Sequence, residues 1–239
     1  MHERFPRVSV IVPCYNAAAY LPAALASLLA QRPAVWEVIV IDDGSSDDSA
    51  AIAAGVGAPV RCHRQDNQGI AAARNHGLRL AGGDWIAFLD ADDLWPADSL
   101  GLRLRELAAR PDLDGVYGLV EAFASPELSV ADLLTLQVPP ISQAGRLAGA
   151  LLLRRQVFAR VGDFDTGFAV GETMDWIARA EEQGVALGQV DGVVLRRRIH
   201  SANTVRKTER LHADYLRLLR ASLLRRRSTP TDLAGEAQR

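Results

Sequence analysis

The sequence predicts an α/β fold built on a mainly parallel, twisted sheet, and three observations carry that prediction. Four short β-branched or apolar runs, residues 8–12, 35–41, 59–63 and 84–89, are each closed by turn-forming or acidic residues, the pattern of buried strands. Between them lie Ala/Leu-rich segments, residues 17–30, 46–54 and 69–80, whose apolar spacing suits helices packed on a sheet. The order is then β-α-β-α-β-α-β, which needs crossover connections, and crossovers join parallel strands.

Each later element follows from the same reading with a changed rhythm. Residues 96–109 predict a helix, 114–123 a strand, 147–153 and 193–199 further strands, and 172–183 a helix. Residues 125–145, with Pro139-Pro140 and scattered Ser and Gln, have no period and suit a mobile loop over a site. After Val205 the chain is Arg-rich. Within 207–227, Leu211, Tyr215, Leu218, Leu219 and Leu223 fall at helical spacing with arginines around them, a basic amphipathic helix that either packs on the domain or rests on anionic lipid.

Composition narrows the partners. With 49% hydrophobic and 23% charged residues among 239, the chain can bury a core. A formal net charge of -2, from 27 basic and 29 acidic side chains, supplies no field to gather nucleic acid. The two cysteines, Cys14 and Cys62, lie in strand-like stretches without metal-site spacing and are expected as reduced, buried thiols of a cytoplasmic protein. The N-terminus lacks the apolar core of a signal peptide and no run is long enough to span a bilayer, so neither export by that route nor spanning is expected. Peripheral contact with the inner face of the membrane stays open through the basic tail, and nothing bears on oligomeric state.

Parallel sheets bind ligands at the carboxyl ends of their strands. Here those ends carry Pro13-Cys14-Tyr15-Asn16, Asp42-Asp43-Gly44-Ser45, Asp66-Asn67-Gln68-Gly69 and Asp90-Ala91-Asp92-Asp93. Turn chemistry alone accounts for Gly, Asn and single Asp residues, but not for three carboxylates within four positions. In an extended chain Asp90 and Asp92 project to one side, and like charges so close call for a cation between them or a proton on one. Mn²⁺ or Mg²⁺ answers this, since hard ions prefer carboxylate oxygens and keep positions open for phosphates.

The ordered blocks VSVIVPCYNAAAYL, EVIVIDDGSSDDS, DNQGIAAARNHGL and GGDWIAFLDADD resemble family 2 glycosyltransferases with the GT-A fold, an αβα sandwich. The resemblance is strong over residues 7–95 and weaker over 146–200. It implies one domain over residues 1–205, with a nucleotide-binding half (7–95) and an acceptor half (96–205), followed by the basic helix and tail (206–239). The implied activity is metal-dependent, inverting transfer of a sugar from a nucleotide diphosphate, UDP first and dTDP next, to an unidentified acceptor hydroxyl.

The resemblance also assigns residues. Tyr15 matches the tyrosine along the nucleotide base, and Asp43 the carboxylate on the base edge, in a turn shaped by Gly44 and Ser45. Arg74 and Asn75 match positions near the ribose and diphosphate, Asp90 the first DxD carboxylate facing sugar or ribose, and Asp92 the metal ligand. Pro13, Asn16, Asn67 and Ala91, from the same strand ends, join them as donor contacts. Structural roles stay open: Tyr15 as a cap on the sheet edge, Arg74 as a partner of Asp66. Family members commonly read Gly-Glu-Asp before a helix, with the Asp as general base. This chain reads Gly171-Glu172-Thr173-Met174-Asp175, so Thr173 takes the base's place. Glu172 and Asp175, three apart on one helix face, are the candidate bases, with Asp175 slightly preferred. The alternative is that both only favour the helix N-terminus. His200, after the strand 193–199, is placed to fold back as a further metal ligand.

Rival readings are weaker. No GxGxxG follows the first strand, against a Rossmann dehydrogenase, and no Gly-rich basic loop stands there, against a nucleotidyltransferase. A non-catalytic GT-A module that binds a nucleotide sugar or a partner protein stays open because of Thr173.

Overall fold

The structure is a computed structural model, and it describes residues 6–129, 132, 142–168 and 170–200. The chain order is β1 (Val8–Cys14), α1 (Leu21–Leu29), β2 (Glu37–Asp42), α2 (Ser49–Val56), β3 (Val60–Arg64), α3 (Ile70–Leu80), β4 (Trp85–Phe88), α4 (Ser99–Ala109), β5 (Gly115–Ala124), β6 (Gln143–Ala144), a 3₁₀ turn (Ala148–Ala150), β7 (Leu152–Arg154), α5 (Arg155–Val161), α6 (Glu172–Glu182) and β8 (Leu187–Ile199). The strands form one sheet in the order β3-β2-β1-β4-β7-β5-β6, with β8 also paired to β5. The β1–β2, β1–β4, β2–β3 and β5–β8 pairs are parallel, while β7 runs antiparallel to both β4 and β5.

Alternation along the strands builds a core on each face. Val8, Val10 and Val12 with Val38 and Val40 meet Leu21, Leu25 and Leu28 of α1 and Leu100 and Leu107 of α4. Ile11, Ile39, Ile41, Ile86 and Phe88 face the other way, toward Ala73 of α3, Phe158 of α5 and Trp176 of α6. Phe158 and Trp176 stack with centroids 4.8 Å apart, and Phe88 and Phe164 pack edge-on at 5.5 Å. Each face is therefore sealed by helices, which is why the strands read as continuous apolar runs.

The structure departs from the sequence reading in several places. The segment 147–153 was expected as one strand, but Ala148-Gly149-Ala150 makes a 3₁₀ turn and only Leu152–Arg154 pairs in the sheet. The small residues let this turn tuck beneath Leu195, and a Cβ on Gly149 would stand 3.0 Å from a Leu195 methyl. The carbonyl of Gly149 accepts the Trp95 indole N–H at 3.0 Å. Helix α5 was not anticipated. β8 begins at Leu187, six residues before the expected strand. Cys62 is only partly buried, whereas burial pushes the Cys14 thiol up to about 12. The proposed mobile loop lies largely, and the basic C-terminal helix wholly, outside the described residues.

Arg103 of α4 is a buried cation whose contacts among the described residues are carbonyls, the Ser99 hydroxyl and an aromatic ring. It bonds the carbonyls of Ser99 (3.1 Å) and Leu151 (3.2 Å), and its guanidinium lies 3.9 Å from the Trp95 ring. Burial pulls it down to about 9.

Helix α3 carries Arg74 and Asn75, and its distance from the sheet is set at Gly77. A Cβ there would meet Ile11 Cγ2 at 2.3 Å. Replacing Gly77→Ala is expected to destabilise the fold by about 1 to 3 kcal/mol through overpacking, outweighing the helix-propensity gain of about 1 kcal/mol. Urea denaturation of the two proteins checks this, and an Ala variant as stable as the wild type would show that the helix can move out at no cost.

Candidate active site

The carboxyl ends of β1, β2 and β4 and the start of α3 converge on one edge of the sheet. β1 ends in Tyr15, which is 54% exposed and so able to offer its ring to a ligand. Asn16 adopts φ 48° and accepts from the Ser46 amide at 2.8 Å, while its own amide donates to Ser45 Oγ at 2.9 Å. Asn16 thus ties the β1 turn to the β2 turn. Pro13 and Ala91 are buried. Gly44, at φ 78°, would bring a Cβ within 3.0 Å of the Asn67 amide, so only glycine lets the two turns approach this closely.

Asp43 is 3% exposed and organises the β3–α3 turn. One of its oxygens accepts from Gln65 Nε2 (2.7 Å) and the Gln68 amide (2.9 Å), and the other from the Gly69 amide (2.8 Å). A cleft of about 430 Å³ opens between α3 and the 163–166 stretch, lined by Gln65, Gln68, His76 and Arg79 among others. It shares Gln65 and Gln68 with the Asp43 network and contains none of Asp90, Asp92 or His200.

The acidic turn is differently built from the sequence expectation. β4 stops at Phe88, and residues 90–93 form a turn closed by the Asp93 amide on the Asp90 carbonyl at 3.0 Å. Asp90 and Asp92 therefore do not project together from an extended strand; each takes its own partner. Asp90 accepts from Arg74 Nη2 at 2.8 Å. Asp92 Oδ2 stands 3.0 Å from His200 Nε2, across 108 residues of sequence. Burial first, then Asp92 and Asp90, push the Asp93 carboxyl well above the ordinary carboxylate range, and it accepts the Arg198 amide at 2.8 Å.

β8 holds this turn. Leu94 and Arg196 exchange backbone hydrogen bonds of 2.9 and 2.8 Å, and Arg198 Nε donates to the Asp92 carbonyl at 2.9 Å. Beyond it lie Tyr20, which stands in the first sequence block without an assigned role, and Glu127, which lies outside the blocks. The Ser125 and Tyr20 hydroxyls hold the Glu127 carboxyl down to about 2.

Arg74 joins the two halves of the sheet edge. Its guanidinium, 3% exposed, is bonded to Asp90, to Glu172 at the start of α6 and to Thr173 Oγ1 (3.1 Å). Burial works against its charge, but Asp90 and Glu172 outweigh it and raise the guanidinium above its ordinary value. Burial also works against ionised Glu172, yet Arg74 and the Thr173 hydroxyl hold it below the usual Glu range. Thr173 itself donates to Glu172 at 2.9 Å. Asp175 is buried on the same helix and bonded to Arg179 at 2.8 Å. Asn75 does not turn toward Asp90; both ends of its amide bond the Phe164 backbone at 2.9 Å.

A mixed, mostly parallel sheet sealed by helices, with carboxylates gathered at the strand ends, defines a fold of the GT-A glycosyltransferase type. It is similar to S. aureus TarS 1-349 in complex with UDP-GlcNAc, with a TM-score of 0.71 at 19% identity over 95% of this chain and 68% of that one. It is also similar to the mannosyltransferase PcManGT from Pyrobaculum calidifontis in complex with GDP-Man and Mn²⁺, with a TM-score of 0.66 at 23% identity over 93% and 65%. The chain belongs to glycosyl transferase family 2, whose family model matches residues 9–142, more than half of its length. Among curated relatives, a PGL/p-HBAD biosynthesis glycosyltransferase of Mycobacterium tuberculosis is 38% identical over 118 residues, which is 47% of this chain and 46% of that protein. An uncharacterized glycosyltransferase of Haemophilus influenzae is 26% identical over 181 residues, 72% and 61% of the two chains. These alignments span about half to three-fifths of the relatives' length. Among the described residues no helix is long and apolar enough to cross a membrane.

The Arg74–Glu172 pair sets a pH dependence. A carboxyl depressed in the folded state contributes stability above its unfolded value of about 4.3, and that contribution is lost as pH falls through the folded value. Glu172→Gln is therefore expected to be less stable than the wild type at pH 7, and the gap to narrow below about pH 4. Arg74→Leu, which leaves Glu172 buried without its cation, is expected to cost about 3 to 5 kcal/mol at neutral pH. Thermal unfolding across pH reads both; a gap that stays constant down to pH 3 would show that the pair does not hold Glu172 ionised.

Proposed function

We propose that this chain transfers a sugar from a nucleoside diphosphate donor, UDP first and dTDP next, to an acceptor hydroxyl by metal-dependent single displacement with inversion. The observation that carries the reading is the convergence of Asp92 and His200 beside the Arg74–Asp90 pair. The neighbours crystallised with UDP-GlcNAc and with GDP-Man and Mn²⁺ support the donor class and the ion.

A carboxylate oxygen and an imidazole nitrogen 3.0 Å apart are a donor pair suited to Mn²⁺ or Mg²⁺. Among the described residues no group of three or more His, Cys, Asp or Glu converges for a metal, so Asp92 and His200 would hold the ion with diphosphate and water completing its shell. When bound, such an ion supplies Lewis-acid stabilisation of the diphosphate leaving group.

The chain's own groups do the rest. Tyr15 offers its exposed ring to the base. Asp43 keeps the β3–α3 turn closed beside the base, with Asn67 alongside. Pro13, Asn16 and Ala91 shape the floor. Asp90 is held by Arg74 toward sugar or ribose. For the base we place Glu172 ahead of Asp175. Both carboxylates are engaged by arginines, Glu172 by Arg74 and Asp175 by Arg179, but Glu172 is the one that stands a single guanidinium away from Asp90.

Two tests bear on this. Asp92→Asn keeps the shape and removes a charged ligand, so Mn²⁺-dependent UDP binding and sugar transfer are expected to be lost while the melting temperature holds; calorimetry with and without Mn²⁺ decides, and binding that stays metal-dependent in the variant removes Asp92 from the metal site. Glu172→Gln should lower transfer by about 10² to 10⁴-fold with donor affinity nearly unchanged, and Asp175→Asn by less. Wild-type rates in both variants would place the base elsewhere. The occupation of both carboxylates by arginines, with Thr173 in the usual base position, favours a second reading as a nucleotide-sugar-binding module, which would bind donor but neither transfer nor hydrolyse it.

A further inference from the structure

Tyr20 precedes α1 and was given no role by the sequence, yet its ring packs on the His200 imidazole with centroids 4.6 Å apart and planes tilted by 40°. The phenol donates to one oxygen of Glu127, and the other oxygen of Glu127 accepts from Ser125 Oγ. The Ser125 amide in turn donates to the Ile199 carbonyl at 2.9 Å, next to His200 in sequence. The path from Tyr20 through Glu127, Ser125 and Ile199 back to His200 is therefore closed. On the same ring sits the Arg198 guanidinium at 5.2 Å, and Arg198 also grips the Asp92 carbonyl.

We propose that Tyr20 is a positioning residue that fixes the His200 imidazole against Asp92, so that the metal-dependent part of donor binding depends on it. The proposal rests on the metal reading of Asp92 and His200 given above. An imidazole at the end of a strand can turn about two side-chain bonds, and ordering it costs free energy unless its surroundings do so beforehand. Tyr20 supplies an aromatic wall, and the bond to Glu127 stops the wall from swinging. Partners of this kind, one shell out from a metal, are worth about 10 to 100-fold in metal affinity. The site thus takes its third element from the first crossover of the fold, far in sequence from both His200 and Asp92.

The experiment uses the full chain with Tyr20→Leu, which removes the wall, and Tyr20→Phe, which keeps the ring but not the hydroxyl. In the metal-free protein the His200 ring resonances, assigned with His200→Gln, are expected to carry a ring-current shift that disappears in Tyr20→Leu and persists in Tyr20→Phe. In calorimetric titrations of UDP at graded Mn²⁺, Tyr20→Leu is expected to need about 10-fold more metal for the same enhancement, with Tyr20→Phe between it and the wild type and metal-free UDP affinity equal in all three. A Tyr20→Leu protein with unmoved His200 resonances, or with the wild-type Mn²⁺ requirement, overturns the proposal. Wild-type UDP binding that ignores Mn²⁺ overturns the metal reading instead, and the resonances then still decide whether Tyr20 holds the imidazole.

Discussion

The buried charge of Arg74 is the constraint around which the sheet edge is arranged. Removing a cation from water costs several kcal/mol that must be offset in place; the equally buried Arg103 leans on carbonyls and the Trp95 ring, whereas Arg74 is met by carboxylates. Asp90 comes from the end of β4 and Glu172 from the start of α6, so neutralising one cation obliges two distant segments to lie side by side. The Phe88 and Phe164 rings, 5.9 and 5.8 Å from the guanidinium, enclose it further. The spacing between the end of β4 and the start of α6 follows from that requirement.

A second constraint comes from β8. Because its last residues bond the backbone of the acidic turn, Asp92 is presented by a rigid frame instead of a loose loop. The same strand delivers Arg198 and His200, so the geometry of the carboxylates and of the imidazole is set by one element. This accounts for Asp93, which contributes no outward carboxylate: it is buried as the acceptor for the Arg198 amide. The three acidic residues that look equivalent in sequence thus have three different jobs, one paired with a cation, one facing an imidazole and one holding backbone.

Much of the first half was legible because its code is local. The alternation Val8, Val10, Val12 against Ile11 and the small residues of α3 announce strands and helices with two buried faces, and glycine at Gly44 announces a tight turn. The second half was less legible. Residues 147–153 carry a strand-like composition, but Ala148-Gly149-Ala150 is too small to compete for a place in the ladder and instead fills space under Leu195 and Trp95. Helix α5 has only seven residues, and its apolar positions are justified by Phe88 and Trp176 packing on Phe158, contacts with no trace in local periodicity.

By itself the sequence determined the α/β class, the parallel crossover half, the family blocks and the residue types at the strand ends, since these depend on side-chain period, turn chemistry and short-range order. Only the tertiary structure decided who meets whom. It separated Asp90 from Asp92 by giving each its own partner, engaged Glu172 and Asp175 with different arginines, turned Asn75 away to the Phe164 backbone, and brought Tyr20 and Glu127 to the side of His200. Those pairings are settled by burial of charge and by the path of the sheet, quantities that depend on the whole chain at once and leave no mark in a window of sequence.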